Sequence, residues 1–367
     1  MRLFDLLKRH GHLPRGRGRV TGVIALALSC LCLLAALAFH FPSWLTTPEL
    51  RARYDVELLR GVMFAAMVTA AGLATWNLIR ARSRAMACWS VAALALTWVL
   101  GGSRIPVGAV QTGTPYLGLD WLILGLLGTA TVFIAIEKAI PHRAQAVFRK
   151  GWQLDLTYFA VNHLLIGVSL IAANHALAVL GLTERTATWV TELPLWAAIL
   201  GAALVADFCQ YWVHRALHEW PWLWRIHAIH HSVETMDWLA GSRLHIFETL
   251  IVRLAVLIPL YAAGFSTAAI DGYIVVVGFH AVFNHANVSV NIGWLRYIVV
   301  TPNFHHWHHG SERAAIDRNY AAHFAFLDHL FGTAVQSERA WPARYGVNGE
   351  TVPRGFWGQL FYPLRRR

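Results

Sequence analysis

A series of long apolar stretches separated by short polar loops restricts the fold more than any other feature. The first runs from Val20 to about Phe41, behind the basic segment MRLFDLLKRHGHLPRGRGR. Others lie at about 61–79, 86–101, 117–136, 154–182 and 193–213. About 20 apolar residues in a helix cross the ~30 Å hydrocarbon core of a bilayer. Backbone polar groups in lipid must be bonded within the segment, so such spans are helical. The expected class is therefore all-α, a polytopic transmembrane helical bundle. Charge agrees, since 14% of the residues are charged against about 25% in ordinary soluble domains. The formal net charge of +11 comes from loops and termini, which suits membrane orientation, and no nucleic-acid partner is expected. Ala36-Leu37-Ala38 resembles a signal-peptide cleavage site, but the length of the first run favours an uncleaved helix.

The loops set the expected sidedness. Residues 80–84 read RARSR, and 137–151 hold Lys138, Arg143, Arg149 and Lys150. Between them, 102–116 contain only Arg104, and 183–192 pair Arg185 with two glutamates. Cytoplasmic loops carry the excess of Lys and Arg, so six crossings that start inside return the chain to the cytoplasmic face near Val213. Ile246–Phe265 and Ala268–Phe283 then form a hairpin or two further spans. Residues 310–367 are polar and expected on the same face. The protein is expected to be an integral, multi-pass protein of a bacterial inner membrane. Its parts are an anchoring region over 1–150 with about four transmembrane helices, a main domain over 151–340 and a basic tail over 341–367. Cys30, Cys32, Cys88 and Cys209 form no CxxC pair and read as small hydrophobes.

The chemistry is concentrated in histidines. His214 and His218 are four apart, and both HAIHH (His227, His230, His231) and HHWHH (His305, His308, His309) place imidazoles at i, i+3 and i+4. On a helix these positions share a face. Each buried imidazole nitrogen needs a partner, and metal satisfies the rings together. These three boxes supply eight ligands, with His280 and His285 as additions from the preceding apolar helix. A zinc site takes about four ligands, so eight suit two ions. Imidazole suits Zn, Cu, Fe and Ni, and affinity does not choose among them.

HRALH, HAIHH and HHWHH resemble the boxes of the fatty acid hydroxylase and sterol desaturase superfamily, whose members are membrane-bound di-iron oxygenases. DFCQYWVHRALH, LWRIHAIHHS, Arg243-Leu244-His245, Asn284-His285-Ala286-Asn287, TPNFHHWHHG, Asn319-Tyr320 and DHLFGT also resemble family segments, in the family's order, over about 150–340. The resemblance implies that the box histidines hold two iron ions on the cytoplasmic face. His285 matches a further family histidine, and His245 follows the Arg-x-His pattern as a ligand or its support. It also implies O2-dependent oxidation of a C–H bond in a lipid, such as a fatty acyl chain or sterol, with hydroxylation the simplest outcome. Desaturation and ether-lipid oxygenation are alternatives on the same site. The sequence contains no GxGxxG or CxxCH motif, so a ferredoxin, cytochrome b5-like protein or reductase is the expected electron donor. His306, Ala321 and His329 depart from the usual family residues, and none is a box position.

Supporting roles are expected of six residues. Asp207, two turns before His214, would accept a hydrogen bond from a ligand ring or pair with Arg215. Asp328 is a second acceptor, as are Asp237 and Glu248. Arg243 would pair with Glu248 or a lipid headgroup, and Asn319 belongs to a family-like segment. His163, His175, His306, His323 and His329 read as structural. The tryptophans around the first box, such as Trp220 and Trp222, read as an interfacial belt. Two other classes fit less well. A membrane zinc hydrolase would use HExxH, which His218-Glu219 begins but no histidine completes. A non-enzymatic metal or haem carrier would place its histidines within the spans.

Overall fold

The computed structural model describes residues 19–80, 84–111, 116–182, 187–337 and 340–365. Their regular structure is helical, and no β-sheet forms among them. Six helices are long and apolar enough to cross a membrane: Thr21–His40, Val56–Ile79, Ala85–Arg104, Leu119–Ala139, Leu195–Glu219 and Thr267–His285. The chain divides into two compact units, Met1–Leu124 and Gly125–Arg367.

In the first unit, helices α1 (Arg19–His40), α2 (Val56–Arg80) and α3 (Ala85–Val99) pack against one another. Cys32, Ala36, Met63 and Ile105 form the core there, and Thr21 Oγ1 donates to Asn77 Oδ1 at 2.9 Å. The cysteines are free thiols, and of the four only Cys32 is buried. The boundary between the units falls within α4 (Leu119–Ala139).

The apolar stretch at 154–182 is not one continuous helix. It is interrupted at Leu165, between α5 (Trp152–Leu164) and α6 (Ile166–Val179). Asn162 Nδ2 donates to the carbonyls of Ser242 and Leu244, both at 3.1 Å, which ties α5 to the loop beside the histidines, whereas α6 packs along α9.

The centre of the second unit is α7 (Leu195–Glu219), flanked by α9 (Ile246–Ala262) and α10 (Thr267–His285). Ala198, Ala202 and Ala206 recur every four residues on α7, all buried, and pack with Val256, Leu257 and Leu260 of α9 and with Ala269, Ile270 and Tyr273 of α10. Small side chains at this spacing let helix backbones approach closely in lipid. The helix α7 does not end at Val213. It continues to Glu219, so His214 and His218 ride on the last turns of a candidate membrane span.

Candidate metal centre

Three short structures bring the remaining histidines to the end of α7. The helix α8 (Pro221–His231) follows after Trp220 and carries the second box. Its Pro221 at N1 loses no hydrogen bond, because the first helical amides have no intrahelical acceptor. The helix α11 (Pro302–His308) carries the third box and starts in the same way, with Pro302 at N1 and Thr301 Oγ1 accepting from the Phe304 amide. His285 is the last residue of α10.

The nine histidines fall into two groups. His214, His218, His227, His231 and His308 form one, and His230, His285, His305 and His309 form the other. Within each group, one ring nitrogen per residue lies within 4.8 Å of all the others. The division follows helix geometry. Residues i and i+4 are about 40° apart around a helix, whereas i+3 lies about 60° away on the other side. So α8 gives its i, i+4 pair, His227 and His231, to the first group and His230 to the second. The helix α11 does the reverse, giving His305 and His309 to the second group and His308 to the first. The second and third boxes each bridge the two groups, whereas His214 and His218 both belong to the first.

Hydrogen bonds to Nδ1 set how the rings face. The Nδ1–H of His214 donates to Tyr320 O at 2.6 Å, that of His308 to Arg318 O at 2.8 Å, and that of His230 to Arg243 O at 3.2 Å. His285 Nδ1 donates to Ala281 O at 2.8 Å, and His227 Nδ1 faces the Glu248 carboxylate at 2.7 Å. His218 Nδ1 lies 3.4 Å from Asp317 Oδ1. With their hydrogens on Nδ1, these rings turn Nε2 lone pairs inward. Neighbouring Nε2 atoms are 3.1 Å apart between His214 and His227, and 3.2 Å apart between His230 and His285. Facing lone pairs at that distance repel unless a cation lies among them, so the donor set fits a metal ion in each group. Burial, and then the neighbouring rings, hold His227, His230, His231, His305 and His309 well below the usual value near 6.5. They are neutral at neutral pH, the form that binds metal.

His245 and His280 join neither group. His245 caps α9, accepting from the Phe247 amide at Nδ1 while Nε2 donates to Leu360 O at 3.0 Å. His280 Nε2 donates to Val300 O, and its Nδ1 meets His323 Nδ1 at 3.0 Å. Asp207 holds backbone rather than an imidazole or Arg215, because its carboxylate accepts from the amides of Ala322, His323 and Phe324. Asp328 accepts from the amides of Tyr320 and Ala321 and from Thr333 Oγ1. Asn319, at φ 58, bonds Phe304 O and Val335 O through Nδ2. These three residues clamp the segment that supplies the Arg318 and Tyr320 carbonyls. Arg243, expected to pair with Glu248 or a lipid headgroup, is buried and pairs elsewhere. It donates to Asp155 Oδ1 at 2.6 Å, within a buried cluster in which Arg149 contacts both Asp155 and Asp237.

Sequence reasoning missed Arg149 and Asp155, which carry no local motif, and Gly241. A Cβ on Gly241 would lie 2.6 Å from His285 Nδ1, so only glycine leaves room for that ring.

A cavity of about 270 Å³ lies beside the histidines, between α7, α9 and α10. His214 and His227 of the first group and His230, His285 and His305 of the second reach its wall. Leu217, Leu244 and Val252 supply apolar surface there.

Residues 199–333 match the model of the fatty acid hydroxylase family. The chain is 29% identical over 262 residues to the ornithine lipid hydroxylase OlsE of Rhizobium tropici, an alignment covering 68% of this chain and 77% of that protein. It is 34% identical over 153 residues to human alkylglycerol monooxygenase, covering 40% of this chain and 31% of that one. It is 32% identical over 165 residues to the very-long-chain aldehyde decarbonylase GL1-5 of Oryza sativa subsp. indica, covering 40% and 26%. The chain thus spans less than a third of the latter two relatives. No solved structure matches.

Proposed function

Since residues 199–333 belong to the fatty acid hydroxylase family, we propose that this chain is a membrane-bound di-iron oxygenase that hydroxylates a lipid at a C–H bond. One observation carries the reading: two all-histidine groups, joined through shared boxes, border one cavity beside α7 and α10, two helices long and apolar enough to cross a membrane. Iron bound by these residues supplies O2 activation and C–H cleavage. Imidazole-only donors admit iron along with Zn, Cu and Ni; the family match over residues 199–333 and the ornithine lipid hydroxylase, which covers the larger part of the chain, are what favour the iron oxygenase reading. We take the nine grouped histidines as the ligands, with Glu248, Asp207, Asp328, Asn319 and Arg243 as their supports.

The chain's own residues orient the substrate and keep the site dry. Leu217, Leu244 and Val252 line the cavity, and α7, α9 and α10 wall it on the bilayer side, so a lipid reaches the histidines laterally. Glu248 and the carbonyls of Tyr320, Arg318 and Arg243 fix the rings and leave no freedom to search for a tautomer. Electrons come from a separate donor protein, which we place on the cytoplasmic face, the side favoured by the basic loops at 80–84 and 137–151.

The test is to purify the protein from iron-replete cells and count iron and zinc per chain, with His230→Ala beside it. About two irons, reduced in the variant, with reoxidation by O2 after chemical reduction, support the oxygenase. Lipids of expressing cells should then gain one oxygen atom. Loss of two hydrogens would point to desaturation. One zinc without O2 reactivity would overturn the proposal.

A further inference from the structure

The stretch from Arg354 to Arg365 has two unlike sides. Phe356–Leu360 is a short helix, and Tyr362–Leu364 is one tighter turn after it. One side packs inward. Tyr362 joins Tyr158, Ala228 and Ile229 in a core cluster, with Phe356 packed against it. Gln359 is buried, and its Nε2 donates to Pro353 O at 2.8 Å. Arg225 Nη2 of α8 donates to Tyr362 O at 3.1 Å, and His245 Nε2 to Leu360 O at 3.0 Å. The stretch is therefore held on the protein, and what it exposes is a fixed surface.

The other side is apolar. Trp357, Phe361 and Leu364 follow one another at spacings of four and three, which share a helix face. They are 70%, 53% and 70% exposed. Trp222, one turn before Arg225 on α8, is 61% exposed. Scattered apolar residues on a surface are ordinary, whereas a face of them marks a contact with protein or membrane. The surrounding charge chooses between these. Residues 351–365 contain no Asp or Glu, and Arg354 and Arg365 are exposed at either end of the apolar side. The sequence adds Arg366 and Arg367. Tryptophan rings sit at the headgroup level of a bilayer. An amphipathic segment with basic flanks lies in that plane, and clustered arginines fit anionic lipid.

We propose that residues 354–365 form an interfacial foot on an anionic lipid surface. Trp357, Phe361 and Leu364 enter the acyl boundary of one leaflet, and Arg354 and Arg365 meet phosphate oxygens of its anionic headgroups. The foot is also tied to the edge of the metal centre. Leu360 O holds His245, which caps α9 three residues before Glu248, the carboxylate facing His227. The foot requires neither iron nor oxygen chemistry, so its test stands apart from that of the oxygenase.

The experiment places a photocrosslinker at the centre of the apolar side. Full-length protein with Trp357→p-benzoylphenylalanine is put into nanodiscs of phosphatidylcholine containing about one-third phosphatidylglycerol and irradiated. Mass analysis of the peptide bearing the crosslinker then identifies its neighbour. Lipid adducts are expected, with phosphatidylglycerol about fivefold above its share of the disc. High salt should reduce that preference, as should Arg354→Gln combined with Arg365→Gln. Adducts to a second copy of the chain, lipid adducts in the proportion of the disc, or no adduct would each overturn the proposal. Hydrogen exchange on the unsubstituted protein decides the matter even if these variants do not fold. The amides of Phe361, Leu364 and Arg365 should exchange more slowly in phosphatidylglycerol discs than in discs of phosphatidylcholine alone. Equal exchange in the two would count against the foot.

Discussion

Glu248 Oε1 lies 2.7 Å from His227 Nδ1, with both side chains buried. The carboxylate comes from the first turn of α9 and the imidazole from α8, so the contact joins the start of α9 to the second histidine box. Carboxylate partners of ligand histidines set the tautomer and raise ligand basicity, and their loss typically costs 10–100-fold in metal affinity. Glu248→Leu should lower affinity by about that factor, and Glu248→Gln by less. Chelator competition followed by metal analysis reads both.

The exchange of ligands between α8 and α11 makes the groups separately addressable. His218→Ala removes a ring from the five-histidine group alone, and His285→Ala one from the four-histidine group alone. Each variant should keep about one metal per chain where the wild type keeps about two. Loss of both metals in either variant would show that the groups fill only together.

Gly241→Ala tests how closely His285 is packed. The added methyl would meet the imidazole at 2.6 Å, and relief requires the ring to swing away from His230 and His305. The expected result is a folded protein with the four-histidine metal weakened and the five-histidine metal intact. Metal content beside a thermal melt separates this from general destabilisation.

Acid should destabilise the metal-free protein. Burial holds His227, His230, His231, His305 and His309 below their unfolded value in the native state. Between the two values the unfolded chain binds more protons, so stability rises with pH there. It is complete above about 6.5 and is lost as pH falls from that value toward the native ones. Melting temperatures of chelator-treated protein from pH 8 to 5 should stay level at first and then decline. A flat profile would contradict the burial of these rings.

Asp207 and Asp328 should matter for stability before chemistry. Asp207→Leu strands the amides of Ala322, His323 and Phe324, and an unsatisfied buried donor costs about 1–3 kcal/mol. A loss of about 3 kcal/mol or more is expected in denaturant unfolding in detergent. Asp328→Ala should act similarly and also loosen Tyr320, whose carbonyl holds His214.

Local patterns made part of this legible. Spacing in HAIHH and HHWHH put three imidazoles on one helix side, and long apolar runs announced helices. The allotment of His230 and His308 to opposite groups was not legible, because it depends on how α8 and α11 face each other. The interruption at Leu165 was hidden from hydropathy, as were the contacts of Asn162 with loop carbonyls some 80 positions away. His245 and His280 stood close to boxes in the chain, yet their ring nitrogens serve a helix cap and a carbonyl. Arg243 was noticed, but its partner Asp155 lies in α5 and no motif links them.

The helix that carries His214 and His218 has 25 residues, or about 37 Å of rod, against a hydrocarbon core of about 30 Å. The two rings ride on its last two turns. A rod longer than its slab adjusts by tilting, and a tilt pivots its protruding end. His305, His308 and His309 hang from a short helix set between loops, outside that rod. In a bilayer, the thickness of the lipid is then a variable on which the alignment of the two sets of rings depends.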